Sequence, residues 1–436
     1  MGTSVSLASS SKVSTSDRNV TQPLDFDSKS IEVIVLGSSG GPADKHNSSY
    51  LVKSTSTRLS DKGSLLAIDA GCLLAGIMDI LENDSSKSPD SKQIFSLNEL
   101  PYSKLSANAH YILTELLAGV CLTHQHMDHI AGLILNSVCF SPESPKLVAA
   151  LPNCIDSLVQ NIFNGSIWPN LTNESTDTYG NRVAISEGYS IYLQRLVPTK
   201  IYSNVAKGLS VAAYPISHGK HPGCIGPEKP PPASVSNISN SPLQSSLPTG
   251  NSPLLSPSSF ISTSPSSLES FSTTTTTYSE TMNTESRTLS YDSSVYFVQN
   301  EQNSTVILIF GDVEADSISM NPRNKAVWDD AALILEKRLL KAIFIECSYS
   351  NSRPDNILYG HLNPKYLIEE LSYLASCTRS NPSLDTLKII ITHVKLDVTI
   401  CEAPYDEILR ELTMLAESNK LKCTFEFAYA GAHMYF

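Results

Sequence analysis

Three of the chain's ten histidines fall inside one hexapeptide, His124-Gln125-His126-Met127-Asp128-His129, and the apolar run Ala118–Thr123 leads straight into it. A short apolar run bounded by a polar cluster reads as a buried strand. The run Ile130–Leu135 that follows reads as a helix, so the cluster sits at a strand-to-helix turn. On extended backbone, side chains two apart point the same way, which lets His124 and His126 share one ion. The turn into the helix redirects Asp128 and His129 towards a second. Neutral imidazole and carboxylate are the ligands that divalent zinc prefers. The competing reading is a polar loop with stacked histidines, which would leave several polar groups competing for partners in a half-buried turn.

Three later apolar runs stop at residues of the same kinds: His218 in ISHG, Asp312 in IFGDVEAD and His393 in IIITHVK. Taken singly, each is more often structural. With the hexapeptide they amount to seven ligands, enough for a two-metal site. Asp69, ending LLAID, is placed to orient a ligand histidine through a hydrogen bond. Gly37, Gly40 and Gly41 in LGSSGGP are not spaced as GxGxxG, so this loop reads as support for a sheet edge rather than as a dinucleotide cradle. His46, His110, His221 and His433 receive no role.

The chain has 436 residues, 41% of them hydrophobic, and a formal charge of −12. A large core can form, and the acidic surface argues against nonspecific binding to nucleic acid polymers. The longest apolar runs, such as Val306–Phe310, are strand-sized, so no membrane span is expected. Met1-Gly2 with Ser6 fits a loose myristoylation pattern that chance also explains. The nine cysteines are scattered without a CxxC pair, which points to reduced thiols and a cytoplasmic setting.

Residues 1–30 are polar and expected to be disordered, and one catalytic domain is expected over 31–436. A Ser/Thr/Pro-rich insertion at about 230–292 should interrupt it, because that composition cannot offset the entropy of ordering. Elsewhere strands alternate with helices, including Leu105–Leu117, Cys154–Phe163, a helix capped by Asn363 and Pro364, and a last one lined by Ile408, Leu409, Leu412 and Leu415. The helices are too few for a doubly wound sheet. An α/β sandwich of two sheets covered by helices fits best.

HxHxDH followed by separate His, Asp and His at strand ends resembles the metallo-β-lactamase superfamily. The resemblance implies an αββα sandwich in which His124, His126 and His218 hold one metal, Asp128, His129 and His393 the other, and Asp312 bridges them. HQHMDHIAGLILNS further resembles the signature of class II 3′,5′-cyclic-nucleotide phosphodiesterases, with Met127 where Leu is usual. VLGSSGGP, SSYLV, AIDAG, GSIWPNLT, FGDVEAD, FIECSYSN, GHLNP and THVK match the same family, from Ile31 to Lys395. That resemblance implies opening of cyclic AMP or cyclic GMP to the 5′-monophosphate by a hydroxide activated by two divalent ions, zinc by ligand type. Asp128 then counts as both ligand and catalytic group. His361 in YGHL and Glu346 in IECS resemble the proton-transfer pair of tRNA 3′-processing endonucleases, with the carboxylate favouring a protonated ring. The alternative for His361 is a helix cap. Lys395 can reach the phosphate or be a solvated strand-end lysine. An RNA 3′-end endonuclease is the rival reading, opposed by the acidic balance. A non-catalytic scaffold is the other, opposed by the presence of all seven ligand positions.

Overall fold

The strands expected from the apolar runs form, and most are buried on both faces. In Ile31–Gly37 every residue is buried. Ile31, Val33 and Val35 face one apolar layer, while Ile34 and Leu36 face another. This is the alternation of a strand sandwiched between two layers. Val306–Phe310 behaves likewise, with Ile307 and Ile309 in the same layer as Val33, and Val306, Leu308 and Phe310 on the opposite side.

A computed structural model describes residues 29–42, 44–88, 91–220, 290–396 and 402–436. The expectations for 1–28 and for most of the insertion lie outside the described residues; the strand after the insertion begins at Ser290, three residues before the expected Ser293. Two seven-stranded sheets result. One runs, in spatial order, through His433–Tyr435, Ile31–Gly37, Ser49–Ser54, Leu65–Ile68, Leu117–Cys121, Lys146–Ala150 and Ile191–Arg195. The other runs through Ser203–Ala206, Leu209–Lys220, Ser290–Asn300, Val306–Phe310, Leu340–Glu346, Lys388–Thr392 and Thr424–Phe427. One apolar cluster lies between the sheets. A second joins the first sheet to helices Leu73–Ser86, Met127–Asn136 and Pro152–Asn161. A third joins the second sheet to Arg323–Glu336, Pro364–Cys377 and Tyr405–Ser418. These layers are the αββα sandwich of the metallo-β-lactamase fold.

Parallel pairing positions the site. Val306–Phe310, Leu340–Glu346 and Lys388–Thr392 run parallel, so Asp312, Glu346 and His393 emerge at one edge. Leu65–Ile68 and Leu117–Cys121 are also parallel, which brings Asp69 beside the hexapeptide.

Some local expectations need correction. The helix expected over Leu105–Leu117 is α-helical only to Tyr111; a wider π turn, Ile112–Leu116, then buries Ile112, Leu113 and Leu116 before the strand starts. Leu409 is exposed at 38%, because the last helix buries Ile408, Leu412 and Ala416, spaced strictly by four. Arg323–Glu336 was not expected: its buried stripe includes alanines, and paired aspartates dilute the apolar pattern. Asn363 does cap its helix, accepting from the Tyr366 amide at 3.2 Å.

Helices Arg323–Glu336 and Pro364–Cys377 are tied to the turn after Asp312 by Glu370. It accepts from the Trp328 indole at 2.5 Å and from the Asp316 amide at 2.8 Å. Burial pushes its pKa from 4.5 to about 7. The folded chain thus keeps this proton longer than the unfolded one. The stabilisation is complete below about pH 4.5 and lost as pH rises through 7. Between pH 5 and 8 the melting temperature of the wild type is expected to fall more than that of Glu370→Gln, by ~5 °C. Equal falls would exclude Glu370 as the titrating group.

Candidate metal centre

The site grows from one buried carboxylate. Asp69 Oδ1 accepts from the Thr123 amide at 2.8 Å, and Asp69 Oδ2 lies 2.9 Å from the Thr123 hydroxyl and 2.8 Å from His129 Nδ1. Thr123 Oγ1 is in turn 3.0 Å from His124 Nδ1. A carboxylate only accepts, so His129 carries its proton on Nδ1 and presents a bare Nε2 when neutral. Donation from Thr123 to Asp69 leaves its oxygen to accept from His124 Nδ1, which sets the same tautomer there. His218 is fixed by a different partner, the Gly360 carbonyl 2.8 Å from its Nδ1. For His393 the partner is the Ser348 hydroxyl, 3.1 Å from Nδ1.

All seven side chains expected as ligands converge. His124, His126, His218 and Asp312 form one group, and Asp128, His129, His393 and Asp312 another; within each, the ligating atoms lie within 4.8 Å of one another. Asp312 is common to both. Its Oδ2 is 3.7 Å from His124 Nε2 and 3.5 Å from His218 Nε2. Its Oδ1 is 3.2 Å from both His129 Nε2 and His393 Nε2. Asp128 Oδ2 is 3.2 Å from His393 Nε2.

These residues fit metal ions. His124 Nε2 and Asp312 Oδ1 are buried without a hydrogen-bond partner. His126 Nδ1 faces His218 Nε2 at 3.2 Å, and His129 Nε2 faces His393 Nε2 at 3.3 Å. His129 and His393 both hold their protons on Nδ1, so their facing Nε2 lone pairs repel unless a cation lies between them. The charge balance points the same way. Burial lowers His124 and His126, and brings His218 to about 3, which leaves these rings neutral and able to ligate. Burial alone would raise Asp128 and Asp312, but the surrounding histidines, His393 foremost, outweigh it and hold both carboxyls well below the usual range. His129 is raised despite burial by Asp312 and Asp69, which marks its position as one where the protein favours positive charge.

The expected proton-transfer pair is also assembled. His361 Nδ1 lies 2.9 and 3.1 Å from the two Glu346 oxygens. Glu346 further accepts from the Val313 amide at 2.7 Å and the Ser348 hydroxyl at 2.5 Å. The expectation that this carboxylate keeps the ring protonated needs correction. Burial dominates, lowering His361 well below its ordinary value, while burial and the Asp312 charge raise Glu346 to about 7. Lys395 is half-buried just past His393 and lines a neighbouring cavity.

Sequence reasoning undervalued the glycine loop. A methyl on Gly40 would lie 2.5 Å from His393 Cε1, so only glycine lets that ring sit where it does. The Gly41 amide lies 3.3 Å from Asp128 Oδ2. Ser348 and the Gly360 carbonyl were missed, although Ser348 falls within the quoted FIECSYSN and Gly360 directly precedes His361.

An αββα sandwich with a histidine and carboxylate cluster at its strand ends defines a protein of the metallo-β-lactamase fold. The family described as cAMP phosphodiesterases class-II matches residues 35–431. A 3′,5′-cyclic-nucleotide phosphodiesterase of Candida albicans is 27% identical over 453 residues, spanning 92% of this chain and 99% of its own. One of Schizosaccharomyces pombe is 23% identical over 402 residues, spanning 91% and 90%. The crystal structure of unliganded yeast PDE1 shares the fold, with a TM-score of 0.68 at 22% identity, covering 94% of this chain and 100% of that one. The chain belongs to the class-II cAMP phosphodiesterases, and its reaction is hydrolysis of a 3′,5′-cyclic nucleotide.

Losing the partner of a ligand histidine typically weakens metal binding by about 10–100-fold. Asp69→Asn is therefore expected to surrender metal to a chelator at correspondingly lower concentration while its circular dichroism is unchanged. Wild-type retention would remove Asp69 from the ligand support.

Proposed function

We propose that the cluster holds two divalent ions, zinc by donor chemistry, and that the chain opens cyclic AMP and cyclic GMP to their 5′-monophosphates. The carrying observation is Asp312, whose two oxygens face the two histidine groups separately. His124, His126 and His218 would hold one ion, Asp128, His129 and His393 the other, and Asp312 both. When bound, such ions supply positive charge to the phosphate oxygens and make water acidic enough to ionise near neutral pH.

The chain's own groups do the rest. Asp128 is the carboxylate of the cluster that solvent reaches, with 22% of its side chain exposed against 3% for Asp312, so it can accept a hydrogen bond from the attacking water. His361 donates the proton that the departing O3′ requires. Glu346, itself raised to about 7, orients that ring and shares its proton, so the proton belongs to the pair rather than to the imidazole alone. Lys395, whose charge is felt at His126 and His361, draws the phosphate into an otherwise acidic chain. Family membership sets the RNA endonuclease reading aside. A cytoplasmic setting is supported by the cysteines, since the seven described are unpaired. No helix among the described residues is long and apolar enough to cross a membrane.

Both cyclic nucleotides are expected to be turned over, with activity lost to a chelator and restored by zinc. His361→Ala is expected to lower kcat by about 10² or more at unchanged metal content. Full turnover in chelator would overturn the metal reading, and normal turnover by His361→Ala would remove that residue from the mechanism.

A further inference from the structure

A cavity of about 1150 Å³ lies beside the metal centre. Gly41, whose amide is 3.3 Å from Asp128, and Lys395 form the side nearest the centre. Tyr349 lines it too, and its ring meets that of His361 edge-on, with centroids 6.0 Å apart at 78°. The Arg353 guanidinium lies 4.1 Å from the Tyr349 ring centroid and 5.5 Å from that of Tyr359, and its Nε donates to the Ile357 carbonyl at 2.8 Å. The cavity is also lined by Tyr405 and Tyr429, with ring centroids 5.2 Å apart.

The reaction decides what this space is for. The O3′ that receives the proton from His361 belongs to the ribose, so the nucleoside must lie on the His361 side of the phosphate. From His361, Tyr349 leads directly into this cavity. A second cavity, of about 640 Å³, flanks Asp128 elsewhere, but neither a cation nor an aromatic ring lines it. We propose that the larger cavity is the nucleoside site, and that the purine stacks on the Arg353 guanidinium braced against Tyr349. Guanidinium planes and aromatic rings are the surfaces on which unpaired bases stack. This proposal rests on the phosphodiesterase reading of the neighbouring centre.

The test uses cyclic AMP beside bis(4-nitrophenyl) phosphate, a diester with neither base nor ribose. Arg353→Ala is expected to raise KM for cyclic AMP about tenfold or more, with kcat changed by less than about threefold. Hydrolysis of the base-free diester should stay at the wild-type level. Calorimetric binding of 5′-AMP should weaken by the same factor as KM, while binding of inorganic phosphate should not. Arg353→Lys keeps the charge but loses the plane, and is expected not to rescue. Leu135→Arg, which fills the second cavity from an exposed position, is expected to change nothing. An equal loss on both diesters, an unchanged KM and 5′-AMP affinity in Arg353→Ala, or a raised KM in Leu135→Arg would overturn the proposal. If the wild type cleaves only the base-free diester, the cyclic-nucleotide reading fails, and 5′-AMP calorimetry still decides the cavity.

Discussion

The described part of the molecule depends on one electrostatic constraint: Asp312, 2% exposed, sits among histidine nitrogens that present lone pairs. A buried carboxylate and several buried imidazoles are costly to desolvate, and they persist only if charge is matched and hydrogen bonds are complete. Asp69, Thr123, Ser348 and the Gly360 carbonyl complete the outward-facing nitrogens of His129, His124, His393 and His218. What is left unsatisfied points inward. Strands buried on both faces anchor Asp312 and His393 at their ends, and helix Met127–Asn136 carries Asp128 and His129.

How much of this can be read from sequence follows from the range of each interaction. The hexapeptide and the strand-end residues are local signals, because an apolar run that stops at His or Asp announces both the strand and the exposed edge. Parallel pairing then brings the ends together. The Glu346–His361 contact spans 15 residues and was inferred from motif resemblance. Ser348 and Gly360 were not legible as supports, because a serine hydroxyl and a backbone carbonyl have no sequence signature for the ring they hold. The close approach of Gly40 to His393 joins residues more than 350 positions apart. Helix Arg323–Glu336 was missed because its buried stripe, regularly spaced at Asn324, Val327, Trp328, Ala331, Ala332 and Leu335, includes an asparagine and alanines that do not read as apolar.

The distribution of charge reconciles an acidic chain with an anionic substrate. A net charge of −12 disfavours long polyanions at a distance, where screening and the whole surface matter. At the centre, Lys395 and the cations proposed for the cluster would reverse the sign locally. His361 and Glu346 stand next to this positive region yet are both buried, so their proton is shielded from solvent. In the proposed mechanism, binding, charge neutralisation and proton transfer thus fall to adjacent but separate sets of side chains.

The central claim is that Asp312 joins two cations. Anomalous diffraction from crystals of the zinc-loaded chain tests it most directly. Two peaks are expected, one among His124, His126 and His218 and one among Asp128, His129 and His393, with one Asp312 oxygen towards each. A single peak, or two peaks that leave Asp312 uncoordinated, would contradict the account.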